Sequence, residues 1–251
     1  MGYSSSLREI SMKYINFFPF YKGFIHLKLK PIVKYLKNKV VLEIGCGEGD
    51  LSEFVSRYAK KVYAMDLNPL VLEVAKKREN IEYVVGDATK MEFPDNSFDF
   101  IIASEVLEHI EEDRKALKEM KRVVKKSGKI FITVPNSEFL EEYDSKVGNL
   151  VKSLTPRNLN KDIFNKRDFD HVRLGYSKDD FEKIAEEFNF KILELYYRFK
   201  LYEILDFRFS LPTVVRFVLR PILDPILCLM LILDKKIPGQ GGSIQVIFEK
   251  L

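Results

Sequence analysis

Glu43-Ile44-Gly45-Cys46-Gly47-Glu48-Gly49 sets three glycines at alternate positions directly behind the apolar run 40–44. Glycines permit a tight turn and let a ligand approach the backbone with no Cβ in the way. A second apolar run ends in Asp66-Leu67, 21 residues after Gly45. At about that spacing a carboxylate accepts the hydroxyls of a ribose. A dinucleotide fingerprint would want its third glycine at position 50, where the chain has Asp50, and an aspartate there repels a pyrophosphate. Glu43 and Glu48 make the loop more anionic still. The pattern points to a nucleoside without phosphate, one that carries positive charge. An oxidoreductase of dinucleotide type and a non-catalytic nucleoside-binding protein are the competing classes.

Proton-transfer chemistry has few candidates, because the chain has three histidines. His109 lies in Glu105-Val106-Leu107-Glu108-His109, just past an apolar run. His171 lies in Asp170-His171-Val172-Arg173 at the end of a long polar stretch, and His26 in a basic N-terminal segment. On a helical turn Glu105, Glu108 and His109 share a face, so they could converge on a cation. The favoured reading is instead that Glu108 and His109 shape the floor of a ligand site, and no metal is expected. Cys46 is expected to be a packing residue, Asp99 a surface carboxylate.

These groups need a frame, and the hydrophobic pattern supplies one. Strand-length apolar runs at 40–44, 62–65, 81–85, 98–103, 129–134, 191–197 and 243–249 alternate with helical periods at 51–58, 69–78, 111–125 and 177–188. Asn68-Pro69 reads as an N-cap followed by proline at the first helical position, and Ser177 as another cap. Such alternation specifies a Rossmann-like α/β, doubly wound, parallel sheet whose strand ends share one ligand-binding rim.

With those residues in place, the sequence resembles a class I S-adenosylmethionine-dependent methyltransferase of the type-11 group, which includes quinone-biosynthesis enzymes. The likeness runs from about Val40 to Phe190. It rests on Glu43-x-Gly45-x-Gly47-x-Gly49, Asp66, Gly86-Asp87-Ala88, the run Phe93 to Asp99, Ser104-Glu105 and Gly128 to Val134. The resemblance implies a seven-stranded sheet with the last strand antiparallel. It implies S-adenosylmethionine as cofactor and S-adenosylhomocysteine as product. Glu43, Gly45, Cys46, Gly47, Gly49, Asp66, Leu67, Asp87, Ala88, Ser104 and Glu105 are the cofactor-side residues it suggests. His109 and His171 are then the catalytic candidates, with Tyr21 and Arg173 on the substrate side. The Glu105, Glu108, His109 spacing also resembles a divalent-metal site of some quinone O-methyltransferases.

The chain has 251 residues, is 46% hydrophobic and 31% charged, and carries a formal net charge of +4. That composition excludes disordered, collagen-like and disulfide-scaffold classes and does not favour nucleic acid as a partner. Two cysteines suit a reducing cytoplasm. The first 40 residues hold eight Lys/Arg against Glu9 alone, a basic start on a mildly acidic body. The organisation expected is an N-terminal helical cap, 1–38, and a methyltransferase domain, 39–251, with a substrate-side loop at 136–176 and an apolar insertion at 199–240. That insertion is broken by prolines and basic residues, so it is not read as a membrane span. It could be a membrane-facing surface at the inner face of the membrane, a lid or a homodimer contact. A small or amphipathic acceptor (lipid, quinone or lipid-linked sugar) is the favoured substrate class.

Overall fold

A computed structural model describes residues 25, 28–75, 77–139, 172–198 and 241–251. Seven strands form one sheet: β1 Val40–Ile44, β2 Lys61–Asp66, β3 Ile81–Val85, β4 Phe98–Ser104, β5 Val124–Pro135, β6 Phe190–Arg198 and β7 Ser243–Lys250. Their order is β3-β2-β1-β4-β5-β7-β6. Strands β1 to β5 pair in parallel, and β7 runs antiparallel between β5 and β6. The strand order reverses beside β1, which makes the ends of β1 and β4 the place where a ligand crevice opens.

The strands are apolar on both faces because both are covered. On one face Leu42, Ile44, Ile101, Ala103, Ile130, Ile132, Val246 and Phe248 pack with α3 (Asp113–Val123) and α4 (Lys178–Glu187). On the other, Val41, Val62, Phe100, Ile102, Phe131 and Ile247 meet Ile25, Leu29, Ile32 and Leu36 of the N-terminal segment. Phe54 and Val55 of α1 (Asp50–Val55) join that second layer. Helix α4 opens as its sequence demands: Ser177 Oγ accepts from the Asp180 N–H, and the Asp180 carboxylate accepts from the Ser177 N–H.

Helix α2 (Pro69–Glu73) begins at the Asn68 cap, whose side chain accepts from the Leu70 N–H. It ends well before the expected Arg78. The chain beyond it is charged, and Arg78 turns back to bind Glu53 Oε1 at 2.5 Å instead of continuing a helical face. Strand β5 is longer than its apolar run because Val124 pairs with Phe98. Asp99 does more than face solvent: its Oδ2 accepts from the Val40 N–H at 2.9 Å, and its Oδ1 from Lys125 Nζ at 3.0 Å. Those two bonds fasten the start of β1 to the start of β5 and hold the Asp99 carboxyl below its ordinary range.

Candidate functional site

The glycine loop joins β1 to α1, with Gly45, Gly47 and Gly49 all at positive φ (68°, 51° and 80°). A Cβ at Gly45 would strike Val106 Cγ2 at 2.5 Å, and one at Gly49 would collide with the Tyr83 hydroxyl. These two glycines are needed for close packing. Gly47 differs: a Cβ there meets nothing within 4 Å among the described residues. The loop therefore packs tightly at both ends and leaves its middle open.

Asp66, at the end of β2, stands directly against that open middle. Its Oδ2 accepts from the Gly47 N–H at 2.8 Å and its Oδ1 from the Asn68 N–H at 2.9 Å. Each carboxylate oxygen keeps a further lone pair for a ligand hydroxyl. Val85 pairs with Asp66 across β3 and β2, Leu67 follows Asp66 just past β2, and both apolar side chains are exposed. Asp87, after β3, uses Oδ1 to accept from both the N–H (2.7 Å) and the hydroxyl (2.8 Å) of Thr89. These bonds close a local turn and lower the Asp87 carboxyl. Ala88 beside it is nearly buried.

The charge of the loop is not what the sequence suggests. Glu43 is 2% exposed and accepts a short hydrogen bond from Ser52 Oγ of α1. Burial pushes its carboxyl up to about 8, against the smaller opposing effect of the Ser52 bond, so Glu43 is largely neutral at pH 7. The anionic character assigned to Glu43 is therefore corrected: it holds the loop onto α1 from beneath. Cys46 is buried, its thiol is raised by burial, and its N–H donates to the Met65 carbonyl at 3.0 Å. It packs as expected.

Past β4 the chain turns sharply. Glu105 is left-handed at φ 55°, its N–H donating to the Thr133 carbonyl at 2.8 Å. Its Oε1 accepts from Thr133 Oγ1 at 2.7 Å and from Lys28 Nζ at 3.0 Å. Ser104 Oγ lies 3.0 Å from Thr133 Oγ1. A single 3-10 turn, Leu107–His109, follows. Glu108 is 1% exposed while His109 is exposed, so the shared face expected for Glu105, Glu108 and His109 does not form. Glu105 lies outside the turn, and within it Glu108 and His109 diverge. Burial, then the Glu105 charge, pushes the Glu108 carboxyl up to about 8.

Arg173 is engaged in packing. It lies 4.1 Å over the Tyr176 ring, binds Asp180 at 2.9 Å and donates to the Gly175 carbonyl at 2.8 Å. His171 and Tyr21 fall outside the described residues. The sequence reading missed Lys28, whose position in a basic run resembled surface charge, and Thr133, hidden inside an apolar strand.

A model of the methyltransferase domain family matches residues 42–132, the stretch that contains the loop, Asp66, Asp87 and the turn after β4. Residues 42–132 are a methyltransferase domain. The mitochondrial ubiquinone biosynthesis O-methyltransferase of Schizosaccharomyces pombe is 36% identical over 104 residues, covering 38% of this chain and 38% of that protein. The demethylmenaquinone methyltransferase of Renibacterium salmoninarum is 40% identical over 93 residues, covering 37% and 39%. This chain thus spans under two fifths of the length of either relative. In overall fold the chain is similar to an S-adenosylmethionine-dependent methyltransferase from Thermotoga maritima (TM-score 0.60, 18% identity, 97% of both chains). A second one, from Aquifex aeolicus, has a TM-score of 0.56 at 17% identity over 93% of this chain and 94% of that one. S-adenosylmethionine is the cofactor of this family and fold. The open backbone at Gly47 and the Asp66 carboxylate beside it have the chemistry to receive a ligand that brings hydroxyl donors.

Proposed function

We propose that this chain moves a methyl group from S-adenosylmethionine to an O, N or C atom of a small amphipathic acceptor of quinone or lipid type. The observation that carries the reading is the open backbone over Gly47 facing Asp66. When bound, the cofactor supplies an electrophilic methyl on a sulfonium. Asp66 would hold the ribose hydroxyls, Asp87 and Ala88 the base, and Gly45 to Gly49 the amino-acid end, with Glu43, Ser104 and Glu105 shaping its surroundings. Displacement at a sulfonium methyl depends on alignment and exclusion of water, and Lys28 bound to Glu105 would place the N-terminal segment at that rim. His109 or His171 would take or hold the acceptor's proton; removing a true general base costs roughly 10²- to 10⁴-fold in rate.

The quinone-biosynthesis names of the relatives support a lipophilic acceptor. No helix among the described residues is long and apolar enough to cross a membrane. Segment 199–240, outside the described residues, is proposed as a peripheral membrane-facing surface. Liposome flotation with anionic lipid tests that part: Arg216→Glu with Arg220→Glu should weaken binding. Calorimetry tests the core of the reading. S-adenosylhomocysteine should bind and NAD should not; the reverse result would overturn it.

A further inference from the structure

The face of the sheet that carries the N-terminal segment changes character toward the rim. Ile102, Phe131 and Ile247 lie side by side on β4, β5 and β7. Two residues nearer the rim, Ser104 stands opposite Thr133, Thr133 opposite Gln245, and Gln245 opposite Tyr196. One step further Ser243 lies between Pro135 and Arg198. Directly opposed residues point to the same side and sit about 5 Å apart. A straight polar row thus crosses four strands, beginning at the Ser104–Thr133–Glu105 cluster of the proposed methyl-donor site.

Much of this row is buried, and part of it has no hydrogen-bond partner among the described residues. Thr133 and Gln245 are 0% exposed, Ser243 4% and Arg198 6%. Both polar atoms of the Gln245 carboxamide, the Ser243 hydroxyl and the Tyr196 hydroxyl have no hydrogen-bond partner among the described residues. Asn136 adjoins them at the end of β5: its Nδ2 donates to the Gly241 carbonyl at 2.8 Å, but its Oδ1 accepts from no described residue. Buried polar groups are nearly always paired, so a group of unpaired ones calls for a missing partner.

We propose that this row binds the hydroxylated end of the methyl acceptor. The proposal rests on the methyltransferase reading above. Donor and acceptor counting selects the ligand. Asn136 Oδ1 and Gln245 Oε1 need O–H or N–H donors, which an ionised carboxylate or phosphate lacks. Gln245 Nε2 needs an acceptor, while the Ser243 and Tyr196 hydroxyls serve either way. Neighbouring hydroxyls on one ring meet all of these needs. A cation would suit the neutral oxygens but not the buried Arg198 guanidinium, 5.4 Å over the Tyr196 ring. Phenolic and sugar hydroxyls share the required chemistry.

The test uses the full chain with S-adenosylhomocysteine bound, titrated with catechol, methyl glucoside and 1,2-dimethoxybenzene by ligand-observed NMR. Binding of catechol alone assigns a phenolic acceptor, and binding of the glucoside alone a sugar. The dimethoxy compound should bind at least about tenfold more weakly than catechol, as expected for the loss of hydroxyl donors. Gln245→Met and, independently, Ser243→Ala should each weaken the bound probe about tenfold, with S-adenosylhomocysteine affinity unchanged. Gln245→Met should also keep or raise the melting temperature, because it removes two unsatisfied atoms. No binding of either hydroxylated probe, equal binding by both variants, or a clear fall in melting temperature for Gln245→Met would overturn the proposal. Hydroxylated-probe binding without S-adenosylhomocysteine binding would sink the methyltransferase reading and leave the row standing.

Discussion

Lys28 Nζ lies 3.0 Å from Glu105 Oε1, across 77 residues of sequence, with Lys28 9% and Glu105 37% exposed. The pair fastens the N-terminal segment to the turn after β4. Lys28→Met should cost about 1–3 kcal/mol, between the values for exposed and fully buried pairs. Lys28→Met with Glu105→Gln should recover part of that loss, since no charge is then left alone. Urea denaturation of the two single variants and the double variant measures the coupling, and additive effects would refute it.

Asp66 both caps its own turn and faces the ligand. Asp66→Ala should weaken S-adenosylhomocysteine binding at least about tenfold, as hydrogen bonds to a charged acceptor contribute roughly 1.5–3 kcal/mol each. Asp66→Asn separates the two roles by keeping an acceptor for the Asn68 N–H while removing the charge. Calorimetry showing unchanged affinity in both would remove Asp66 from the site.

The three loop glycines should separate by experiment. Gly45→Ala and Gly49→Ala combine a left-handed backbone with collisions at Val106 and Tyr83. Each should cost about 2–4 kcal/mol from the two effects together. Gly47→Ala meets open space and should cost only about 1–2 kcal/mol, yet it should weaken cofactor binding most for the stability lost. Thermal melts paired with calorimetry would show this ordering or its absence.

Glu43 and Glu108 both have carboxyls raised from 4.5 to about 8 in the fold. The folded state therefore holds protons that the unfolded chain has released, and stability falls as pH rises from about 4.5 to about 8. At ~1.36 kcal/mol per pH unit, the ceiling is about 5 kcal/mol for each group. Glu43→Gln mimics the protonated form and should flatten this slope, making the variant the more stable chain at pH 8 but not at pH 4. Denaturation midpoints at the two pH values read the sign directly; a wild-type midpoint that rises between pH 5 and 8 would contradict it.

Much of the frame was legible because period and punctuation agree. The Ile81–Val85 strand, the Asn68-Pro69 start and the Ser177 cap follow from residue type alone. The glycine loop and Asp66 were legible through spacing. The ionisation of Glu43 was not, because it depends on Ser52 and on burial under α1, neither visible in the local motif. The backbone at Glu105, Glu108 and His109 was not legible for a related reason: a shared face would need a helix, and the chain instead makes one 3-10 turn after a left-handed residue. Gln245 and Tyr196 meet only through pairing of β6 with β7, 49 positions apart, and no periodicity reports on that.

Strand β7 lies between two strands made before it, and this orders events during synthesis. Once residues up to 135 have left the ribosome, β1 to β5 can pair in parallel, and both partners of the Gly47–Asp66 contact are already made. Strand β6 then emerges with no neighbour, since its partner in the sheet is β7, and β5 waits with one edge bare. Exposed edges of this kind attract other chains. Only when Ser243–Lys250 inserts does the second half close, and the polar row through Gln245 is assembled in that same event. A nascent chain stalled before residue 243 would therefore have the Gly47–Asp66 crevice formed, lack the polar row through Gln245, and be at its most prone to aggregate.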